Sequence, residues 1–563
     1  MRQREYVQAQ AALEACLLKD PNYLPALSDL AMVRYRAMDY QGAWDLARRG
    51  LSIDTYDPAS NYYYGLASIR LGRTVDAMDG FEVAASSPAF RAAASIELAR
   101  IYVRRGDLGK ASDYADRSRQ LKSDNMEAFQ LLSVITCLRG DRNPSVTQFA
   151  ASPDPLSHFS RFERYLILKD EKSRQEFVNG IRNEMPHETF LELAAWYHDL
   201  GRLQEARQVL ELAPPNDEVL YWLAFVQDAL RDPASAETLR KADAASPRLV
   251  FPFRSESAVV FDWAMRRLSN WRPKYYLALI LWSRNDTARA RDLLASCGTA
   301  PDFAPFYAAR AKAFEPVSRD ASLADLRHAA ELDPREWRFG KLLVERYLED
   351  KAFGQALDTA DRYFKVAPAN YMLGMLHAKS LLLNRRFADA SSALGRLNVL
   401  PYEGSTEARA LYREAELMVA VAEMMAGRSD AALRRVTAAR DWPEHLGAGK
   451  PYPEDVDERL EDWLAAQCLE KQGRSADARA LLERLATSGR AKPGLGRLLA
   501  ALAAKATGGQ ASGERTLAEW AGQQSDPRVA DWGRRLFAGE RPAWPAGASS
   551  TEEWRVLAEW TER

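Results

Sequence analysis

A fixed spacing of 34 residues governs this chain from Tyr23 to Leu121. Ala43, Ala77 and Ala111 recur at that interval, and so do Ala31, Gly65 and Ala99. Two phases of small residues inside one period predict a unit of two closely crossing helices, because a bulkier side chain at the crossing would force them apart. Gly72 and Gly106 keep the same interval and mark the turn between the helices, where a left-handed backbone is cheapest for glycine. A unit this small cannot bury its apolar face alone, so successive units must stack.

Carried back by one period, the alanine phase lands on Ala9 and the closing proline on Pro21. Residues 4–18 therefore read as the second helix of a pair whose first helix is not in the sequence. That reading makes the chain the C-terminal part of a longer protein, or places its true start upstream. Residues 24–38 and 40–53 form the first full pair, and 126–138 a fourth first helix. The register then breaks at Asn143-Pro144 and Ser152-Pro153-Asp154-Pro155, and 159–181 is helical but off phase. The phase returns at Phe190, Leu193, Ala194, Tyr197, Gly201 and Ala206. Ala356 with Ala390, and Pro334 with Pro368, are again one period apart.

Four parts follow from this reading: N-terminal repeats over 1–142, starting mid-repeat, and an irregular helical connector over 143–186. Central and C-terminal repeats run over 187–507, with insertions near 246–273, 398–411 and 441–458. A C-terminal cap over 508–563 is expected to pack across the last repeat and bury several of Trp520, Trp532, Trp544, Trp554 and Trp560.

The period and its small-residue phases resemble the tetratricopeptide repeat. The resemblance implies an all-α fold, a right-handed α-solenoid of tetratricopeptide-like helix pairs with irregular loop insertions, whose concave groove is lined mainly by first helices.

A single core is excluded at 563 residues, since cores stop growing near roughly 250–300; stacked repeats escape that limit. The formal net charge of -1 gives no basic excess for nucleic acid or an anionic membrane. No apolar run approaches the roughly 20 residues of a membrane span, and no signal-peptide core is present, so the expected location is cytoplasmic. Cys16, Cys137, Cys297 and Cys468 lie far apart and read as buried free thiols. The six histidines show no metal spacing. No phosphate loop, dinucleotide fingerprint, zinc-protease helix or nucleophile elbow occurs, so the expectation is a non-enzymatic chain without a cofactor.

What chemistry the sequence offers sits in the insertions. The first carries Phe251, Phe253, Arg254 and Glu256, followed by Trp271, Lys274 and Tyr275, with Tyr307 downstream. Aromatics beside Arg and Lys can clamp a peptide or stack on a sugar ring, with the guanidinium fixing a carboxylate; they can equally fill the space between repeats. The second carries Tyr402 and Glu403, after which Arg409, Tyr412 and Glu416 share one helix face, either presented to the groove or solvated. The third, 442–452, carries Lys450 and Tyr452. Its Gly447-Ala448-Gly449-Lys450 run meets Pro451 and cannot enter the helix that a phosphate loop requires, so it reads as a structured loop at the groove edge.

Residues 250–256, 273–280, 301–307, 400–403 and 442–452 resemble the repeat half of large bacterial proteins. In those proteins a β-rich domain of unassigned function, similar to the galactose-mutarotase sandwich, precedes the repeats. The resemblance implies a bacterial source and an upstream domain of the same protein as a possible partner. Two functions are expected from these readings. One is a scaffold that binds a protein segment or that upstream domain through its concave face. The other is the accessory half of a carbohydrate-active enzyme, with the insertions completing a glycan site.

Overall fold

The computed structural model describes the chain apart from residues 1–5, 123, 141–153, 155–156, 403–404, 453–454, 489–493, 550 and 563. Among the described residues the helices are α-helical apart from short 3₁₀ turns such as Glu444–Leu446, and no strand occurs. Two compact units divide the chain, Met1–Ser318 and Arg319–Arg563.

In the first unit α1 is Tyr6–Lys19, and three pairs follow: α2 (Leu24–Arg36) with α3 (Tyr40–Ile53), α4 (Pro58–Arg70) with α5 (Thr74–Ala84), and α6 (Arg91–Arg105) with α7 (Leu108–Leu121). Then come α8 (Met126–Leu138), α9 (His158–Leu168), α10 (Glu171–Val178), α11 (Pro186–Asp199), α12 (Leu203–Glu211), α13 (Asp217–Ala229) and α14 (Ser235–Ala244). The unit closes with α15 (Ser257–Met265), α16 (Arg272–Ser283), α17 (Thr287–Ser296) and α18 (Ala304–Phe314).

The second unit starts with α19 (Arg319–Leu332) and continues as pairs: α20 (Trp337–Glu349) with α21 (Phe353–Val366), α22 (Tyr371–Leu383) with α23 (Phe387–Leu394), and α24 (Glu407–Met425) with α25 (Ser429–Ala438). Next are α26 (Arg459–Lys471) with α27 (Ser475–Ser488), and α28 (Leu495–Ala506) with α29 (Gln510–Ala521). The last two helices are α30 (Pro527–Ala538) and α31 (Glu552–Glu562).

The period explains the pairs directly. Ala31, Ala43, Ala77, Ala99 and Ala111 have no exposed surface, and a Cβ added at Gly65 would fall 2.6 Å from the ring of Phe81. The turn that ends each first helix is left-handed once per period, at Met38, Gly72, Gly106 and Gly140, with φ of 64°, 74°, 76° and 86°. Asp39 and Asp107 then cap the second helices through the amides of Gly42 and Lys110, satisfying donors that a helix start leaves open. Each unit is thus a tetratricopeptide-type stack of helix pairs, an all-α solenoid.

Three features depart from the sequence reading. The stretch 246–273 is not all loop: it holds α15, which packs on α13 and α16. Cys297 and Cys468 are buried, and burial pushes both thiols up to about 11, but Cys16 and Cys137 are only half-buried. Beyond Gly508, helical pairing continues through α29 and α30, and α31 packs on α24, with Trp560 against Trp463 of α26.

Candidate functional site

In the first unit, first helices of distant pairs meet through their own charges. Arg70 of α4 lies 3.7 Å from Asp199 of α11 and 3.8 Å from Glu256, and Arg104 of α6 donates to the Asp199 carbonyl. Arg100 reaches both Glu97, at 3.7 Å, and Glu127. Burial pushes the Glu97 carboxyl up, against the pull of Arg100. The space left between these groups is about 70 Å³, too small for a peptide segment.

A much larger basin, about 1090 Å³, opens at the edge of the same unit. One wall is the face of α1 that carries Tyr6, Val7, Gln10, Ala11 and Glu14, with the C-terminal end of α2 behind it. Spacings of four and eight residues put these side chains on one side of a helix. The other wall is Phe253 from the first insertion and the turn between α16 and α17, where Asn285 is left-handed at φ 66°. Phe253 is held from both sides: its carbonyl accepts Arg284 Nη2 at 3.0 Å, and the Arg254 guanidinium lies 4.9 Å from its ring centre. Arg254 is in turn fixed on Glu188 of α11, through Oε2 at 3.1 Å and the carbonyl at 3.2 Å. The ring stays 47% exposed, a pinned apolar surface facing open space.

Charge in the basin is unevenly matched. Arg34 takes both Glu14, at 2.7 Å, and Asp39, at 3.2 Å, and Arg289 takes Asp286 at 3.3 Å. Arg36 lies over the Tyr6 ring and donates to its hydroxyl. Neither Arg36 nor Arg284 has a carboxylate in ion-pair range among the described residues.

The residues singled out by sequence are distributed as follows. Phe251, like Phe253, is exposed; Arg254 and Glu256 tie the first insertion to α11 and α4. Trp271, Tyr275 and Tyr307 are buried in one aromatic cluster with Phe303 and Phe306, and the Tyr307 hydroxyl donates to the Pro301 carbonyl at 2.9 Å. Lys274 bonds the Ser296 carbonyl at 3.4 Å. In the second unit Arg409 is buried, donating to the Ala439 carbonyl at 2.7 Å and covering the Trp442 ring at 4.6 Å. Tyr412 is half-buried against the core, and Glu416 is buried and bonded to Ser391 and Arg435. The second and third insertions join, the Val399 amide donating to the His445 carbonyl at 2.8 Å. Tyr402, Lys450 and Tyr452 are exposed on these joined loops; Glu403 lies outside the described residues. Sequence reading missed Tyr6, Val7, Arg36 and Arg284.

No family model matches the chain. No curated protein matches it. Among solved structures it is similar to Naa15/Naa10 bound to HypK-THB, at 14% identity over 99% of this chain and 91% of that one, TM-score 0.26. It is also similar to yeast Tom70, at 13% identity over 92% and 95%, TM-score 0.26. A tetratricopeptide repeat protein from Parabacteroides merdae matches at 14% identity over 49% of this chain and 93% of that one, TM-score 0.28. The fold assignment rests on the helix pairs themselves. Among the described residues no helix is long and apolar enough to cross a membrane, and no group of three or more His, Cys, Asp or Glu side chains could hold a metal ion.

Proposed function

We propose that this chain is a repeat scaffold that binds a segment of another protein, and that the basin between α1 and the α16–α17 turn is where it does so. The observation that carries this reading is Phe253: an apolar ring, fixed by Arg284 and Arg254 yet 47% exposed, at the side of a cavity of about 1090 Å³. A ring held in place before binding loses little conformational freedom when a partner covers it, which is how a preformed surface gains affinity. Between the first helices nearby, Arg70, Arg104 and Asp199 pair with one another and leave only about 70 Å³, so the basin is the roomier place for a partner segment.

The test is a photo-crosslinking residue, p-benzoylphenylalanine, placed at position 253 and, as a control, at position 56, where Tyr56 is 75% exposed between α3 and α4. Irradiation in the cell of origin is expected to give a protein adduct from 253 and none from 56. Adducts that form equally from both positions, or from neither, would refute the reading.

A further inference from the structure

The helix that walls the basin carries an unbroken apolar stripe where each of its counterparts has polar residues. Val7, Ala11, Ala15 and Leu18 all lie exposed along α1, Val7 at 62% and Leu18 at 86%, and α1 has no buried residue at all. One period later, the same phases of α3 hold Gln41, Asp45, Arg49 and Ser52; in α7 they hold Gly109, Asp113, Arg117 and Gln120. At these phases helix α5 holds Val75, Asp79 and Val83, with Ser86 just beyond its end. In a stack of equivalent second helices, this phase faces solvent. An apolar residue at all four places on α1 is therefore a departure from the pattern that the fold does not require.

The spacing of the stripe specifies the shape of what covers it. Steps of four, four and three residues follow one helix face for about three turns, or roughly 16 Å, which matches the ridge of another helix and not an extended strand. The stripe starts inside the basin, where Val7 and Ala11 belong to the wall. There the charge is specific as well. Glu14 and Asp39 are both engaged by Arg34, and Asp286 by Arg289, while Arg36 and Arg284 are positioned by a tyrosine hydroxyl and a backbone carbonyl, which orient a guanidinium without neutralising it. Two oriented guanidiniums with no carboxylate in ion-pair range among the described residues favour carboxylates, which they bind through paired N–H groups.

Resting on the reading of the basin as a protein-binding site, we infer that its occupant is an acidic amphipathic helix of a partner protein. Its apolar face lies along Val7, Ala11, Ala15 and Leu18, and its carboxylates meet Arg36 and Arg284.

Two fluorescein-labelled peptides of about 15 residues test this by anisotropy against the full chain. Both carry Leu and Ala in the same helical stripe; one fills the remaining positions with Glu and Gln, the other with Lys and Gln. The acidic peptide is expected to bind about tenfold more tightly than the basic one at low salt, with the gap narrowing as salt rises. Arg36→Glu with Arg284→Glu should erase that preference, and Leu18→Asp, at a position exposed enough to leave the fold intact, should weaken the acidic peptide about tenfold. Equal affinity for both peptides, or no binding of the acidic one, overturns the inference. So does a concentration-dependent dimer in light scattering that Leu18→Asp abolishes, since the stripe would then be covered by a second copy. If the peptides fail while position 253 still crosslinks to a protein, the partner's chemistry is wrong and the protein-binding reading stands; if both fail, both fall.

Discussion

Arg555 of α31 holds Glu414 of α24 with two parallel hydrogen bonds, Nε to Oε1 at 2.6 Å and Nη2 to Oε2 at 2.7 Å. The carboxylate is 1% exposed, and the guanidinium 29%. Beside them Arg413 bridges the buried Glu461 to Glu553 of α31, the latter at 2.6 Å, and Arg385 reaches Glu559. The last helix is thus fixed to the middle of its unit by charges, with Val556 and Leu557 buried beneath it.

Removing one partner of such a pair leaves the other buried and unpaired. Arg555→Ala is therefore expected to lower the stability of the second unit by about 3–5 kcal/mol, whereas Arg555→Met with Glu414→Leu recovers most of that loss. Urea unfolding followed by tryptophan fluorescence reads it directly, because Trp520 and Trp554 pack 6.1 Å apart in this unit. An Arg555→Ala protein as stable as the parent would show that α31 is held by packing alone.

Acidity acts in the opposite direction on the first unit. Burial pushes the carboxyls of Glu163 and Glu218 up to about 7 and that of Asp217 up to about 6. Each is hydrogen-bonded by a hydroxyl: Tyr197 to Glu163, Ser257 to Glu218 at 2.6 Å, Tyr276 to Asp217 at 2.7 Å. A carboxyl with a raised folded-state pKa contributes stability that is fully present below its unfolded value and is lost as pH rises through the folded one. The three together predict a stability that falls between about pH 5 and about pH 8, by on the order of 3 kcal/mol for each of the two glutamates, with the melting temperature falling alongside. Differential scanning at several pH values checks the slope, and Glu163→Gln and Glu218→Gln should each flatten it. A slope unchanged in both variants would place the proton uptake elsewhere.

The stack was legible because its signal is local. Ala43, Ala77 and Ala111 sit at one phase, all are fully buried, and the pairs follow from them. The site was legible only in part, for a physical reason: an aromatic beside a cation has the same sequence signature whether it waits for a ligand or fills a core. Phe253 and Trp271 look alike in sequence, yet one is open to the basin and the other is 6% exposed beneath Phe306. Nor does spacing put Arg36 and Arg284 on one basin, or Arg555 on Glu414, since those placements depend on how many pairs stack and how the chain returns. The one available signal was the comparison of α1 with α3 at equal phase, where Val7 and Leu18 replace Gln41 and Ser52.

Arg254 shows the same ambiguity resolved by geometry. Its two bonds to Glu188 are shielded, with side-chain exposures of 20% and 16%, so Arg254→Ala should cost about 1–3 kcal/mol of stability. Arg254→Lys should not restore it, because one ammonium cannot reproduce the planar fork. Lys274, with a single 3.4 Å contact to the Ser296 carbonyl, should tolerate alanine within about 0.5 kcal/mol. Thermal melts of the three variants decide the point: a neutral Arg254→Ala would mean that the first insertion does not depend on its anchor.

Close crossing of paired helices makes the final prediction, and one pair supplies both the test and its control. In α20, a Cβ added at Gly340 would lie 2.2 Å from Cγ of Tyr363 on α21, a ring with no exposed surface. Neither helix can shift without disturbing its next neighbour, so Gly340→Ala should destabilise by about 1–3 kcal/mol despite the better helix propensity of alanine. Gly354, near the start of α21, has nothing within 4 Å of the same position. There only propensity acts, and Gly354→Ala should stabilise by about 0.5–1 kcal/mol. Opposite signs from one substitution in one helix pair, read by urea denaturation, would show that the small-residue phase is set by contact between the helices; equal signs would show that it is not.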